Sequence, residues 1–325
     1  MRTARRFAAV IAALALGGCA VGGETAQDRM RVFVPTPPGG GYDMTARILA
    51  AAAEDSGVTA RVDVVNLPGD RGMAALSRAR FEQGDGSLLL QMGLGLLANA
   101  HLAGLDDAVD ELTPVARVIE EAEAVVVTRD SRYHTLDELV TELREHPARL
   151  TVGGGSEPGG PDHLAAMLLA RGVGVAPTDV KYRPYDGGGE MLAALLTGDV
   201  DFALTGAAEN LQAIRAGEVR VLGVTGARRV PGIDAPTLIE SGIDVEFMNW
   251  RGLLAPPDLT ATEHAATVAA LEAMRSSPTW QEAVAKHGWT DAFLTGTEFD
   301  AFVAAEQRRI AALLDDLGVS QRDDG

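Results

Sequence analysis

The chain holds one cysteine in 325 residues, Cys19, so no internal disulfide can staple it. Basic residues are scarce: 28 Lys and Arg face 46 Asp and Glu, giving a formal net charge of −18. That balance excludes a nucleic-acid binder and a protein held electrostatically on anionic lipid. The N-terminal apolar run, residues 7–16, is only ten residues long, about half the length a membrane-spanning helix needs. No H-E-x-x-H motif and no cysteine or histidine pair at ligand spacing is present, and the six histidines are scattered, so no metal site is expected. The phosphate loop G-x-x-x-x-G-K-[ST] is absent, and "GLGLLA" (93–98) ends in alanine where a dinucleotide loop has its third glycine. "GGSEP" (154–158) has proline where a G-x-S-x-G elbow requires glycine. Nothing points to catalytic residues or a cofactor.

What the sequence does have begins with an export signal. Arg2, Arg5 and Arg6 precede the ten-residue apolar run, and Gly17 and Gly18 lead into Cys19. Leu16-Gly17-Gly18-Cys19 resembles a bacterial lipobox, in which the cysteine is acylated and the chain is cut before it. The alternative is a plain signal peptide with an incidental cysteine. Residues 1–18 are thus expected to be a lipoprotein signal and 19–29 a flexible tether. Loss of three arginines and no acid would take the net charge from −18 to −21.

From residue 30 onward, short apolar runs alternate with helical patterns, indicating an α/β fold with largely parallel strands. Strands are expected at 32–34, 60–65, 88–92, 124–128, 150–152, 180–182, 202–205 and 219–224. Helices are expected at 43–53, 73–81, 136–145, 162–170, 189–196, 209–216, 261–276 and 296–316. Such a length favours two domains. One plan occurs twice, strand then glycine loop then helix: "RVFVPTPPGGGYDMTARILA" (31–50) and "RLTVGGGSEPGGPDHLAAMLLA" (149–170).

In the first loop, Pro35, Pro37 and Pro38 hold the chain extended, and Gly39, Gly40 and Gly41 expose backbone N–H groups before a helix. Such a loop can cradle a carboxylate or phosphate. Asp43 either caps the helix or faces the ligand; the two roles are compatible. In the second loop, Gly155 and Ser156 can act in the same way, and His163 is expected to pack or bond the backbone. A third loop, Tyr185-Asp186 before three glycines, also precedes a helix, and Thr205 ends the next strand. Backbone donors and hydroxyls describe a binder rather than an enzyme.

The ordered set "VPTPPGGGYDMTARILA", "VVNLPGDRGMAALSRAR", "GDGSLLLQMG", "LTVGGGSEPGGPDHLAAMLL", "YDGGGEMLAALLTGDVDFAL", "AGEVRVLGVTGARR" and "NWRGLLAPP" resembles the TctC/Bug family. These are the extracytoplasmic solute-binding proteins of tripartite tricarboxylate transporters. The resemblance covers nearly all of the mature chain. It implies a two-lobed periplasmic-binding-protein type 2 fold with the ligand cleft between the lobes, lobe 1 being 30–122 plus 226–325 and lobe 2 being 123–225. It also implies a small carboxylate ligand (a di- or tricarboxylate), a membrane permease as partner, a lipid anchor at Cys19 and a monomer. By position, the implied contacts are Gly39, Gly40, Gly41 and Asp43 from one lobe, and Gly155, Ser156, Tyr185, Asp186 and Thr205 from the other. Two departures stand out. Asp70-Arg71 replaces the family's small residues, and "YRPYDGGG" differs from the commoner Tyr-Lys-Gly form. The remaining alternatives are a ligand sensor for a membrane receptor and a secreted α/β hydrolase.

Overall fold

The computed structural model describes residues 29–319. The expected signal segment 1–18, Cys19 and the expected tether through residue 28 lie outside them. Arg29, expected to end the tether, is the first residue of a strand.

The first part of the chain alternates strand and helix: β1 (Arg29–Val34), α1 (Gly41–Asp55), β2 (Arg61–Asn66), α2 (Met73–Arg80), β3 (Leu88–Gly93), α3 (Leu94–Leu102) and the short α4 (Asp106–Asp110). β2, β1 and β3 pair parallel in that order. Period-two alternation decides how β1 is covered. Val32 and Val34 meet α1 residues such as Leu49 and Ala52, while Phe33 meets Leu76 and Leu96 on the opposite face. Both faces are apolar because helices cover both.

β4 (Thr113–Thr128) joins this sheet to a second one. The second part contains α5 (Leu136–Glu145), β5 (Thr151–Gly154), α6 (Pro161–Gly172), β6 (Lys181–Pro184), α7 (Gly188–Thr197), β7 (Phe202–Gly206), α8 (Leu211–Ala216) and β8 (Val219–Val224). β6, β5 and β7 are parallel. Val125 and Val127 of β4 pack with α5 and α6, whereas Ala124 and Val126 pack with Met191 and Leu195 of α7. The chain then returns through β9 (Met248–Ala255), α9 (Ala261–Arg275), α10 (Pro278–His287), β10 (Thr290–Thr295) and α11 (Gly296–Asp316) to complete the first sheet.

Two lobes result, with β4 common to both. Residues 113–122 of β4 pair antiparallel with β9, and residues 123–128 pair with β7 and β8. Thr225 binds the crossing strands together at this change of partners. Its hydroxyl accepts the Glu123 N–H (2.9 Å) and donates to the Phe247 carbonyl (2.7 Å). Residues 226–247 span the joint, with Ile243 and Val245 resting against Gly172 of the second lobe.

The parallel strands and most helices lie where the sequence predicts them. The first eleven residues of β4, and β9, β10, α3 and α10, do not follow from local pattern. β4 carries Pro114 and the acids Glu120, Glu121 and Glu123, and β9 carries Arg251, so neither reads as a buried strand. Pairing along both edges of β4 overrides that composition.

Candidate functional site

The loops following β1, β2, β5, β6 and β7 all open at the carboxyl ends of parallel strands, where ligands of α/β sheets lie. Between them is a cavity of about 440 Å³ lined from both lobes. That volume suits a small molecule.

Of the residues expected at the site, Gly40, Gly41, Gly155, Ser156, Tyr185 and Asp186 line this cavity. Gly39, Asp43 and Thr205 do not. Gly39 has already given its N–H to Asp43 Oδ2 at 2.9 Å. Asp43 is buried at the third helical position rather than at the cap, which is Gly40. Its Oδ2 also takes Arg47 Nε (2.9 Å), and its Oδ1 takes Asn66 Nδ2 (2.9 Å), so it ties the loop to the end of β2. Burial pushes the Asp43 carboxyl up, yet these bonds from Arg47, Asn66 and Gly39 hold it below the usual aspartate range. Thr205 is fully buried, its hydroxyl accepting from Asn210 Nδ2 at 2.9 Å. His163 takes the Gly159 N–H on Nδ1 at 3.1 Å and stands edge-on to Tyr182; burial lowers its pKa to about 4, so it stays neutral.

The loops of the two lobes nearly touch. A Cβ on Gly187 would lie 4.0 Å from Gly40 Cα, an ordinary contact, and it is the φ of +91° that favours glycine there. Gly40 itself lines the cavity and has nothing within 4 Å of where its Cβ would be.

Sequence reasoning missed the charged inner wall. Arg251 of β9 is 2% exposed and pairs with Glu121 of β4, with Glu209 at 3.3 Å and with the Thr45 hydroxyl at 3.1 Å. A Cβ on Gly41 would fall 2.1 Å from both Arg251 Nη2 and Glu209 Oε1, so that glycine serves the ion cluster more directly than a ligand. Asp162 Oδ2 accepts the Gly155 N–H at 2.6 Å. Burial raises Glu209 to about 8, opposed by Arg251 and reinforced by Glu121 and Asp162. Asp162 rises to about 7, chiefly through burial. Glu123 is also raised, by burial and then by Asp162 and Glu121. The signal available in the sequence was charge inside otherwise apolar strand runs, Glu121 and Glu123 before "AVVVT" and Arg251 in "NWRGLLA".

The departure Asp70-Arg71 has a structural meaning. Both residues hold left-handed backbone angles, φ 47° and 53°, in a turn that small residues would adopt more readily. That turn sets Arg71 at the rim, 4.0 Å from Glu157 of the other lobe. Behind the wall, Thr36 Oγ1, Asn99 Oδ1 and the Tyr185 hydroxyl are buried atoms of cavity-lining residues and have no protein partner. Buried polar atoms without partners are few in native proteins.

The sequence profile of the family described as "Tripartite tricarboxylate transporter family receptor" matches residues 46–319. The chain belongs to this TctC family. Protein BugT of Bordetella pertussis is 27% identical over 300 residues, covering 89% of each chain. A UPF0065 protein encoded in the tcbD-tcbE intergenic region of a Pseudomonas species is 30% identical over 230 residues, 69% of this chain and 66% of that one. Among solved structures, the periplasmic binding protein BugD superposes with a TM-score of 0.80 at 24% identity, covering 90% of this chain and 99% of that one. MatC from Rhodopseudomonas palustris, with malate bound, gives 0.75 at 24% identity over 89% and 99%. The fold is therefore the two-lobed periplasmic-binding-protein fold, and the TctC family is one of solute-binding receptors, not enzymes.

Proposed function

We propose that this TctC-family chain is an extracytoplasmic receptor that captures a small carboxylate between its lobes and delivers it to a tripartite tricarboxylate-type permease. Di- and tricarboxylates are the first candidates, given the family. In this reading residues 1–18 direct export, lipid on Cys19 anchors a monomer to the membrane, and the lobes divide at 122/123 and 225/226. Gly40, Gly41, Gly155, Ser156, Tyr185 and Asp186 form the ligand wall, while Gly39, Asp43 and Thr205 support it from behind.

The observation that carries this reading is the cavity of about 440 Å³ between facing glycine loops, lined from both lobes. Malate in MatC, and adipate in another R. palustris protein of this fold (TM-score 0.81), favour a carboxylate occupant. The net charge of −18 is a weak objection, because salt screens surface charge beyond about 8 Å and ligand contacts are direct.

The test is a thermal-shift panel of mono-, di- and tricarboxylates. A true ligand at about 100 times its Kd stabilises the fold by about 2.7 kcal/mol. No response across the panel would contradict the reading.

A further inference from the structure

The inner wall of the cavity is acidic, which is the reverse of what a receptor for a doubly charged anion requires. Glu209 and Asp162 line it, and Glu121 and Glu123 stand behind them around the buried guanidinium of Arg251. One backbone donor that the glycine loops would offer an anion is already occupied, Gly155 N–H by Asp162, and Arg251 and Glu209 stand directly against Gly41. Arg251 is shared between Glu121 and Glu209. A carboxylate arriving here is held only while Glu209 keeps a proton to donate, and meets like charge once that proton is lost above about pH 8.

What this wall offers is acceptors. Glu209 and Asp162 line the cavity, whereas Glu123, 0% exposed and with no partner at Oε2, stands behind it and takes a hydrogen bond on Oε1 from Asn249, a cavity-lining residue, at 3.2 Å. Asn99 Oδ1 is likewise unpartnered, its Nδ2 being donated to the Arg71 carbonyl. A donor lies elsewhere in the same cavity, the Arg71 guanidinium, with Thr36 and Tyr185 among the lining residues.

We propose that Glu209 determines specificity: the ligand's carboxylate lies toward Arg71, Thr36 and Tyr185, and the group facing Glu209 is a hydroxyl or protonated amine rather than a second carboxylate. This rests on the carboxylate-receptor reading and narrows it. The ligand is then a small carboxylic acid whose far end donates hydrogen bonds.

Matched series separate the two ideas. At chain lengths of about four to six carbons, the dicarboxylate, the ω-hydroxy acid and the ω-amino acid differ only at the far end (succinate, 4-hydroxybutyrate and 4-aminobutyrate, for instance). Titration calorimetry of the wild type should find an ω-hydroxy or ω-amino acid bound at least about tenfold more tightly than the dicarboxylate of equal length. In Glu209→Gln that ratio should fall below about threefold, with the dicarboxylate gaining affinity. A dicarboxylate that binds the wild type most tightly, with or without proton uptake read from buffers of different ionisation enthalpy, overturns the inference while leaving the receptor function intact. So does a ratio that Glu209→Gln leaves unchanged. If the variant fails to fold, the wild-type ratio decides alone. Binding by no member of any series overturns the receptor function as well.

Discussion

Replacing Arg251 by methionine is expected to destabilise the fold by about 3–5 kcal/mol, the cost of leaving buried acids without their cation. Arg251 is 2% exposed and Glu121 1%; the pair lies where β9 and β4 run side by side, with Glu209 reaching in from the second lobe. Methionine fills similar space but offers nothing to either carboxylate. In a chain of this size each kcal/mol is worth about 2–4 °C in Tm, so the loss should be evident in a melt and in a urea titration. The loss should be largest above about pH 8, where Glu209 gives up its proton, and smaller at neutral pH, where it keeps it. Adding Glu121→Gln and Glu209→Gln to the methionine variant should recover part of the loss, because amides do not need the guanidinium as carboxylates do. A loss below about 1 kcal/mol would mean that water or local rearrangement already solvates the cluster.

The second large effect concerns pH. Glu209 titrates at about 8 in the folded protein against an ordinary 4.5, and Asp162 at about 7 against 3.8, both chiefly through burial. Glu123 moves in the same direction. The folded state therefore keeps protons that the unfolded chain has already lost. For acids raised in this way the contribution to stability is complete below the unfolded pKa and is lost as pH rises through the folded one. Asp43 and Asp85 act oppositely: burial raises them, but their hydrogen bonds leave them below the ordinary aspartate value. Their contribution is present above the unfolded pKa and disappears as pH falls below about 4. The maximum should fall near pH 5, with Tm at about pH 8.5 lower than at about pH 5.5 by more than about 3 °C. A flat or rising Tm across that interval would contradict burial of these carboxylates without enough compensating donors.

Much of the fold was legible because each parallel strand carries its own period-two pattern and each helix its own apolar stripe. Val32, Phe33 and Val34 announce β1, and the apolar positions of residues 296–316 announce α11. The crossing strands were not legible in the same way. "TPVARVIEEAEAVVVT" becomes one long strand only because β9, β10, β7 and β8 pair along its edges, and that information lies more than a hundred residues away for part of its length. The site divides along the same line. Gly40, Gly155 and Ser156 sit in loops whose composition marks them, so their place on the cavity wall followed from local sequence. Glu209 was expected inside a helix, but it lies in the turn before α8, which turns its carboxylate toward Gly41 and Arg251. Asp43 shows the converse limit: its spacing fitted either a cap or a ligand contact, and three hydrogen bonds to its own lobe give it a bracing role instead.

The central claim is that a small carboxylate enters the space in front of Gly40. Titration calorimetry of the wild type and Gly40→Val, using the carboxylate with the largest thermal shift, tests this most directly. Gly40 has an ordinary φ of −81° and nothing within 4 Å of its Cβ position, so valine can be accommodated by the backbone while its side chain enters the cavity. The variant should melt within about 2 °C of the wild type, a change of under 1 kcal/mol, and bind at least about a hundredfold more weakly, a loss of about 2.7 kcal/mol or more. Equal affinity in the two proteins would place the ligand elsewhere and contradict the account.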